Sequence, residues 1–403
     1  MTCLTAMIEC PLCGLVQRLP EAADAAVISC RRCKSQLERR TGKNLDVAFA
    51  CSAATLLLMV PAIFAPLLTT AAFGVTRTSV LPSSAFDLWD EGWPLLCIAV
   101  LLFVVVLPLA RFALLTAVLG ALRFGRRAPW AGPAFRIADR LESWAMLDVF
   151  LLGLAVAYAR LHATISVTLR VGGLCFIAAA LLSLFVRAAL DRRRVWRRIA
   201  PDAAADASRH CVGCNACGLA APSAAAGRRC TRCGAILKPR RAQSLSRACA
   251  LLAASLLLYF PANLYPMATL PINLTPTAYT VLGGIVDLAK SHLVGLALLV
   301  FAASFAVPLL KMAGLAWCAA SVLRRSRRRL VAKTRVFRVL QEIGRWSMVD
   351  PFTIGCVVPV VHFNNFIDGR AEAAATPFAA MVILTTLAVK LFDPRLLWDA
   401  AAR

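Results

Sequence analysis

Charged residues are scarce in this 403-residue chain: they make up 16%, and Asp and Glu together number 21. A soluble globular chain carries about 25% charge, so long stretches here avoid water. Chemical motifs are scarce too. There is no Gly-x4-Gly-Lys-Ser/Thr loop, which excludes a P-loop nucleotide engine. A Gly-x-Ser-x-Gly elbow and a His-Glu-x-x-His helix are also missing, which removes two common hydrolase sites. Only four histidines occur, His162, His210, His292 and His362, and none is assigned to a site. A cleavable leader is not expected, since the first apolar run follows more than forty cysteine-bearing polar residues. A soluble enzyme is not expected.

What is abundant is apolar sequence: 60% hydrophobic residues and a mean hydropathy of +0.72. Eight runs have about the length that a helix needs to cross a bilayer: 48–70, 94–122, 143–160, 171–190, 247–267, 292–322, 346–364 and 376–392. The net charge of +24 is distributed unevenly. Of the 45 Lys and Arg, 38 fall in segments 1–47, 123–140, 187–247, 324–345 and 390–403, against five in the four intervening connections. Retention of positive charge on the cytoplasmic side then places both termini and the central segment there. The basic runs 192–198 and 324–329 anchor loops against anionic lipid; nucleic acid is not an expected partner.

Motifs recur at an offset of about 200 residues. Pro61-Ala62 and Pro66 return as Pro261-Ala262 and Pro266, Asp87-Leu88 as Asp287-Leu288, and Pro108-Leu109 with Arg111 as Pro308-Leu309 with Lys311. Trp144, Met146 and Asp148 return as Trp346, Met348 and Asp350; Asp191, Arg193 and Trp196 return as Asp393, Arg395 and Trp398. The expected architecture is an all-α polytopic membrane protein of two tandem four-helix repeats, each preceded by a small cytoplasmic zinc-ribbon-like β domain. Its domains would be 1–47 (ribbon), 48–198 (first bundle), 199–243 (ribbon) and 244–403 (second bundle). The Pro-x4-Pro pair opening each bundle fits either a capped helix end or a kink beside a cavity.

Two Cys-x2-Cys pairs stand in each polar segment: Cys10, Cys13, Cys30 and Cys33, then Cys214, Cys217, Cys230 and Cys233. Four thiolates at this spacing suit a closed tetrahedral zinc site. An iron or iron–sulfur centre uses similar ligands. Gly14, Gly218 and Gly234 follow knuckle cysteines, where the turn needs backbone freedom. Cys211 is a spare that could substitute in the second set. Disulfides are disfavoured in a reducing compartment.

Within the spans, Lys311 lies too far from Arg324 to snorkel to the surface, and a cation at that depth marks a function or a paired partner. Ser304, Pro308 and Lys311 share one helix face. Ser304, Lys311, Ser347, Asp350 and Thr385 form a candidate transport path, and Arg111 with Asp148 is the first-half counterpart. A static Lys311–Asp350 ion pair is the plain alternative to a proton relay.

The duplicated cysteine pairs, the Pro-x4-Pro and Trp-x-Met-x-Asp motifs and the closing Asp393-Pro-Arg-Leu-Leu-Trp398 resemble the paraquat-inducible protein A family of bacterial inner-membrane proteins. The resemblance implies a subunit of an MCE-type intermembrane lipid transport system, which loads or extracts lipid for a periplasmic MCE-domain partner and maintains the envelope barrier. It also implies zinc at the eight cysteines. The first half has Asp191-Arg-Arg-Arg where the second has Asp393-Pro-Arg-Leu, so the halves need not be equivalent. A proton-coupled exporter of toxic amphiphiles and a membrane scaffold are the alternative readings.

Overall fold

The computed structural model describes residues 7–18, 27–39, 44–72, 75–90, 94–125, 128–161, 166–200, 211–266, 268–272, 275–290, 294–344 and 370–402. Two short hairpins open the chain: β1 (Met7–Glu9) with β2 (Val16–Arg18), and β3 (Val27–Ser29) with β4 (Gln36–Arg39). Helix α1 (Leu45–Phe64) begins where Asn44 caps the Asp46 amide, as short polar side chains do at helix starts. A hairpin follows, β5 (Leu68–Ala72) and β6 (Val75–Ser79), then α2 (Leu81–Asp90) and α3 (Pro94–Val100). Next come a π-helical stretch at Leu101–Val106, α4 (Leu107–Arg123), α5 (Ala131–Leu141) and α6 (Leu147–Leu161). Strand β7 (Ser166–Leu169), α7 (Val171–Ala189) and α8 (Arg192–Ile199) complete the first half.

A third small β region holds β8 (Cys211–Gly213) and β9 (Ala220–Pro222). The order of elements then runs again: α9 (Ser244–Leu264), β10 (Ala268–Ile272), β11 (Thr275–Tyr279), α10 (Val281–Lys290), α11 (Val294–Phe301), a second π stretch at Ala302–Ala306, α12 (Val307–Leu323) and α13 (Leu330–Ile343). After residues 345–369 come β12 (Arg370–Ala371), α14 (Ala375–Leu391) and α15 (Arg395–Ala402). The expected span 346–364 lies outside the described residues.

The molecule is mostly helical. Among the described residues, five helices are long and apolar enough to cross a membrane: Leu45–Phe64, Cys97–Arg123, Val171–Ala189, Ser244–Leu264 and Ala297–Leu323. Helix α14 bends by 50° into α15, and the 15-residue α6 is shorter than a crossing needs. The span expected at 143–160 is thus a shorter helix. Those at 48–70 and 247–267 end early, because the chain turns into a hairpin after each. These hairpins form the three-stranded sheets β6-β5-β7 and β11-β10-β12, all antiparallel, which the all-α expectation lacked. Outward apolar side chains such as Leu57, Phe64, Leu257 and Leu264, each over 70% exposed, give the helices lipid-compatible faces.

The prolines act at defined places. Pro61 and Pro261 sit in the last turn of α1 and α9, so Pro-x4-Pro marks a helix end rather than a mid-membrane kink. The carbonyl of Pro66 accepts from Gly172 N–H at 2.9 Å, and that of Pro266 from Ala374 N–H at 3.1 Å. A side chain at Gly172 would meet the Ala65 carbonyl at 2.4 Å, so α7 approaches α1 through a missing Cβ. Pro108 and Pro308 lack an N–H and crowd the preceding turn; the π stretches lie just before them. The carbonyl of Phe103 accepts instead from Met146 N–H at 3.3 Å.

Candidate functional site

Each Cys-x2-Cys pair lies on a tight knuckle. The amides of Cys10, Cys30, Cys214 and Cys230 reach back to Leu15, Ser35, Leu219 and Ala235, and the fifth residue of each turn donates to the first cysteine. That fifth residue has positive φ: Gly14 (72°), Gly218 (72°), Gly234 (69°) and, where glycine is absent, Lys34 (58°). Lys34 completes a fourfold pattern that the glycines alone left at three.

The four sulfurs of each set lie within 4.8 Å of one another and are buried. Neighbouring sulfurs are 3.5–3.6 Å apart in both sets. A tetrahedral ion with metal–sulfur bonds of about 2.3 Å requires edges of about 3.8 Å, so both sets fit a metal of that size. Hydrogen bonding from Cys217 first holds the Cys214 thiol down at about 7. Cys10, through Cys13 first, and Cys230, through Cys214 first, are pushed well below the ordinary thiol value. Thiolates of this kind are what a cation takes. Cys211 sits in β8 and is not one of the clustered ligands.

The two clusters cross over between the halves. The N-terminal set packs with Leu315, Phe337 and Trp398 of the second half, and the central set packs into the core of the first. Polar contacts join both clusters to the two halves. Glu9, next to Cys10, receives the Arg395 guanidinium at 3.0 Å, and Arg32, between Cys30 and Cys33, lies 4.4 Å over the Trp398 ring. Asn215, between Cys214 and Cys217, accepts from Arg395 at 2.6 Å. Arg136 of α5 donates to the Cys233 carbonyl at 2.8 Å, which ties the central set to the first half. Both clusters and α15 therefore share one end of the molecule.

Lys311 is 1% exposed. Its Nζ donates to the Thr386 hydroxyl at 3.1 Å and lies 3.4 Å from the Gly344 carbonyl. Ser304 and Thr385 are also buried, but their hydroxyls bond back to Val300 and Val382 of their own helices, at 2.6 Å and 2.9 Å. Ser347 and Asp350 lie outside the described residues. Among the described residues, α12, α13 and α14 pack around Lys311.

In the first half, Arg111 has Glu142 as its carboxylate at 3.6 Å, while Asp148 is held by Arg187 at 3.2 Å. Glu142 also meets Arg187 at 3.5 Å and Arg192. Burial pushes the Glu142 carboxyl up, but Arg192, Arg111 and Arg187 together outweigh that and hold it below its ordinary range. Asp139, dominated by burial, is shifted up despite Arg192. Sequence reasoning missed Glu142. An acid three residues before Ala145 and the start of an apolar run is the signal that could have found it. The halves also meet where Lys390 lies 3.5 Å over the Trp144 ring, which stacks on Phe103.

No solved structure matches the chain. Among known proteins, it is 31% identical to the lipophilic envelope-spanning tunnel protein A of Escherichia coli, over 97% of this chain and 91% of that protein. It is 28% identical to the intermembrane transport protein PqiA of the same organism, over 97% and 95%. A probable intermembrane transport protein of Haemophilus influenzae is 24% identical over 97% and 94%. These names describe transport proteins rather than enzymes. The family model described as paraquat-inducible protein A matches residues 45–200 and 245–402, and the chain belongs to that family.

Proposed function

We propose that this protein is the inner-membrane subunit of an MCE-type intermembrane lipid transport system, with phospholipid or another lipid as substrate. The carrying observation is the match of nearly the whole chain to a relative named for a lipophilic envelope-spanning tunnel. The positive-charge distribution supports cytoplasmic termini, and the shared end of the clusters and α15 is consistent with it. The hairpin sheets then face the periplasm, where an MCE-domain partner would dock. In this reading each half is a four-crossing repeat, the short α6 serving as the third crossing of the first half. Zinc occupies both cysteine sets as a structural ion. Ser304, Lys311, Ser347, Asp350 and Thr385 serve the path in the second half. Arg111 and Asp148 hold the first half rigid.

The test is complementation of an envelope-barrier defect in a strain lacking the protein, with lipids captured on a periplasmic MCE-domain protein as the direct readout. Wild type should restore both. Restored resistance to toxic amphiphiles without lipid on the partner would replace this reading with an exporter.

A further inference from the structure

We propose that a cavity at the cluster-bearing end binds a phosphate-bearing ligand through Arg338 and Arg241. The cavity, of about 740 Å³, lies between both cysteine clusters and the ends of both bundles, and its size is that of a small-molecule site. Its charges are unequally committed. Arg395 is taken by Glu9 and Asp393, Arg192 by Asp139 and Glu142, and Asp191 by the amides of Arg193 and Arg194. Arg338 is not. Its Nε is buried without a hydrogen-bond partner among the described residues. Arg241 gives one guanidinium nitrogen to the Lys390 carbonyl, which leaves its other donors for a ligand.

Forked guanidinium donors match phosphate oxygens two at a time. Depth fits as well. Arg187, in the last turn of α7, and Phe392, directly after α14, line the same space, so it sits where those helices leave the membrane. A lipid headgroup of that leaflet and a soluble phosphate compound share the required chemistry. The site does not depend on the transport reading.

The experiment titrates full-length, metal-loaded protein in detergent with inorganic pyrophosphate and, separately, with monomeric dihexanoyl phosphatidylglycerol, following binding by calorimetry. Saturable binding of pyrophosphate alone identifies a soluble ligand; binding of the lipid alone identifies a headgroup; either supports the site. Arg338→Gln and Arg241→Gln should each weaken the binding at least about fivefold, the scale of one lost charge-assisted contact, and Arg338→Lys should retain part of it. Should Arg338→Gln fail to fold, Arg241→Gln is read in its place. No saturable binding of either probe, or unchanged affinity in the variants, overturns the proposal.

Discussion

The two halves place a cation at matching positions after a proline and a π stretch, and its partners among the described residues differ. Arg111 meets the Glu142 carboxylate within a network that includes Arg187, Arg192 and Asp148. Lys311 meets a backbone carbonyl and a threonine hydroxyl. The position matching Glu142 is Gly344, where a Cβ would stand 3.9 Å from Lys311 Cε. One half thus resembles a fixed ion-pair scaffold, since Arg does not give up its proton. The other half carries a lysine at that place. The two copies of one plan differ here, Glu142 against Gly344, and the proposed function assigns the halves different roles.

The contrast can be broken at several strengths. The largest effect should come from the cluster that docks on the first half. Cys214→Ser with Cys230→Ser should lower bound metal from about two ions per chain to about one, read by elemental analysis, and forfeit much of the ~10 kcal/mol that a structural zinc contributes to folding. Next, Glu142→Ala leaves Arg111 and Arg187 without their shared carboxylate and should cost about 3 kcal/mol in detergent unfolding. Because the folded carboxyl lies below its ordinary value of 4.5, its stabilising contribution is complete above that pH and is lost as pH falls through the lower folded value. An acid titration of unfolding should show that loss in wild type and not in Glu142→Ala.

A smaller stability effect with a larger functional one is expected at Lys311. Lys311→Met should change stability by no more than about 2 kcal/mol, lost hydrogen bonds being offset by relief of desolvation, while complementation is abolished. Gly344→Glu, which recreates the first-half pair, should keep abundance and also abolish complementation; normal complementation by both variants would end the division of roles. The smallest effect belongs to Arg32→Ala, which removes an exposed cation–π contact on Trp398 and should cost about 0.5–1 kcal/mol.

Hydropathy alone showed most of the spans, because lipid contact requires continuous apolar sequence. It also showed the duplication and both cysteine sets, since ligand spacing is local. It did not show the hairpins, although Val75-Thr-Arg-Thr-Ser79 and Ser166-Val-Thr-Leu169 carry the β-branched residues typical of strands; these short segments were read as outer connections. Nor did it show α5 and α13, whose polar faces hid them within basic loops. Glu142 and Gly344 became visible only through contacts more than thirty residues away. The role of Arg395 likewise needs Glu9, 386 positions earlier.

The crossing of the cysteine clusters has a consequence for ancestry. The N-terminal cysteine knob packs on the second bundle and the central one into the core of the first, with Asn215 also reaching Arg395 of the second. A precursor with a single unit could satisfy the same grip only by exchanging knobs with a second copy of itself, as a domain-swapped dimer. Fusion of two such genes would have preserved the embrace while freeing each arm to diverge.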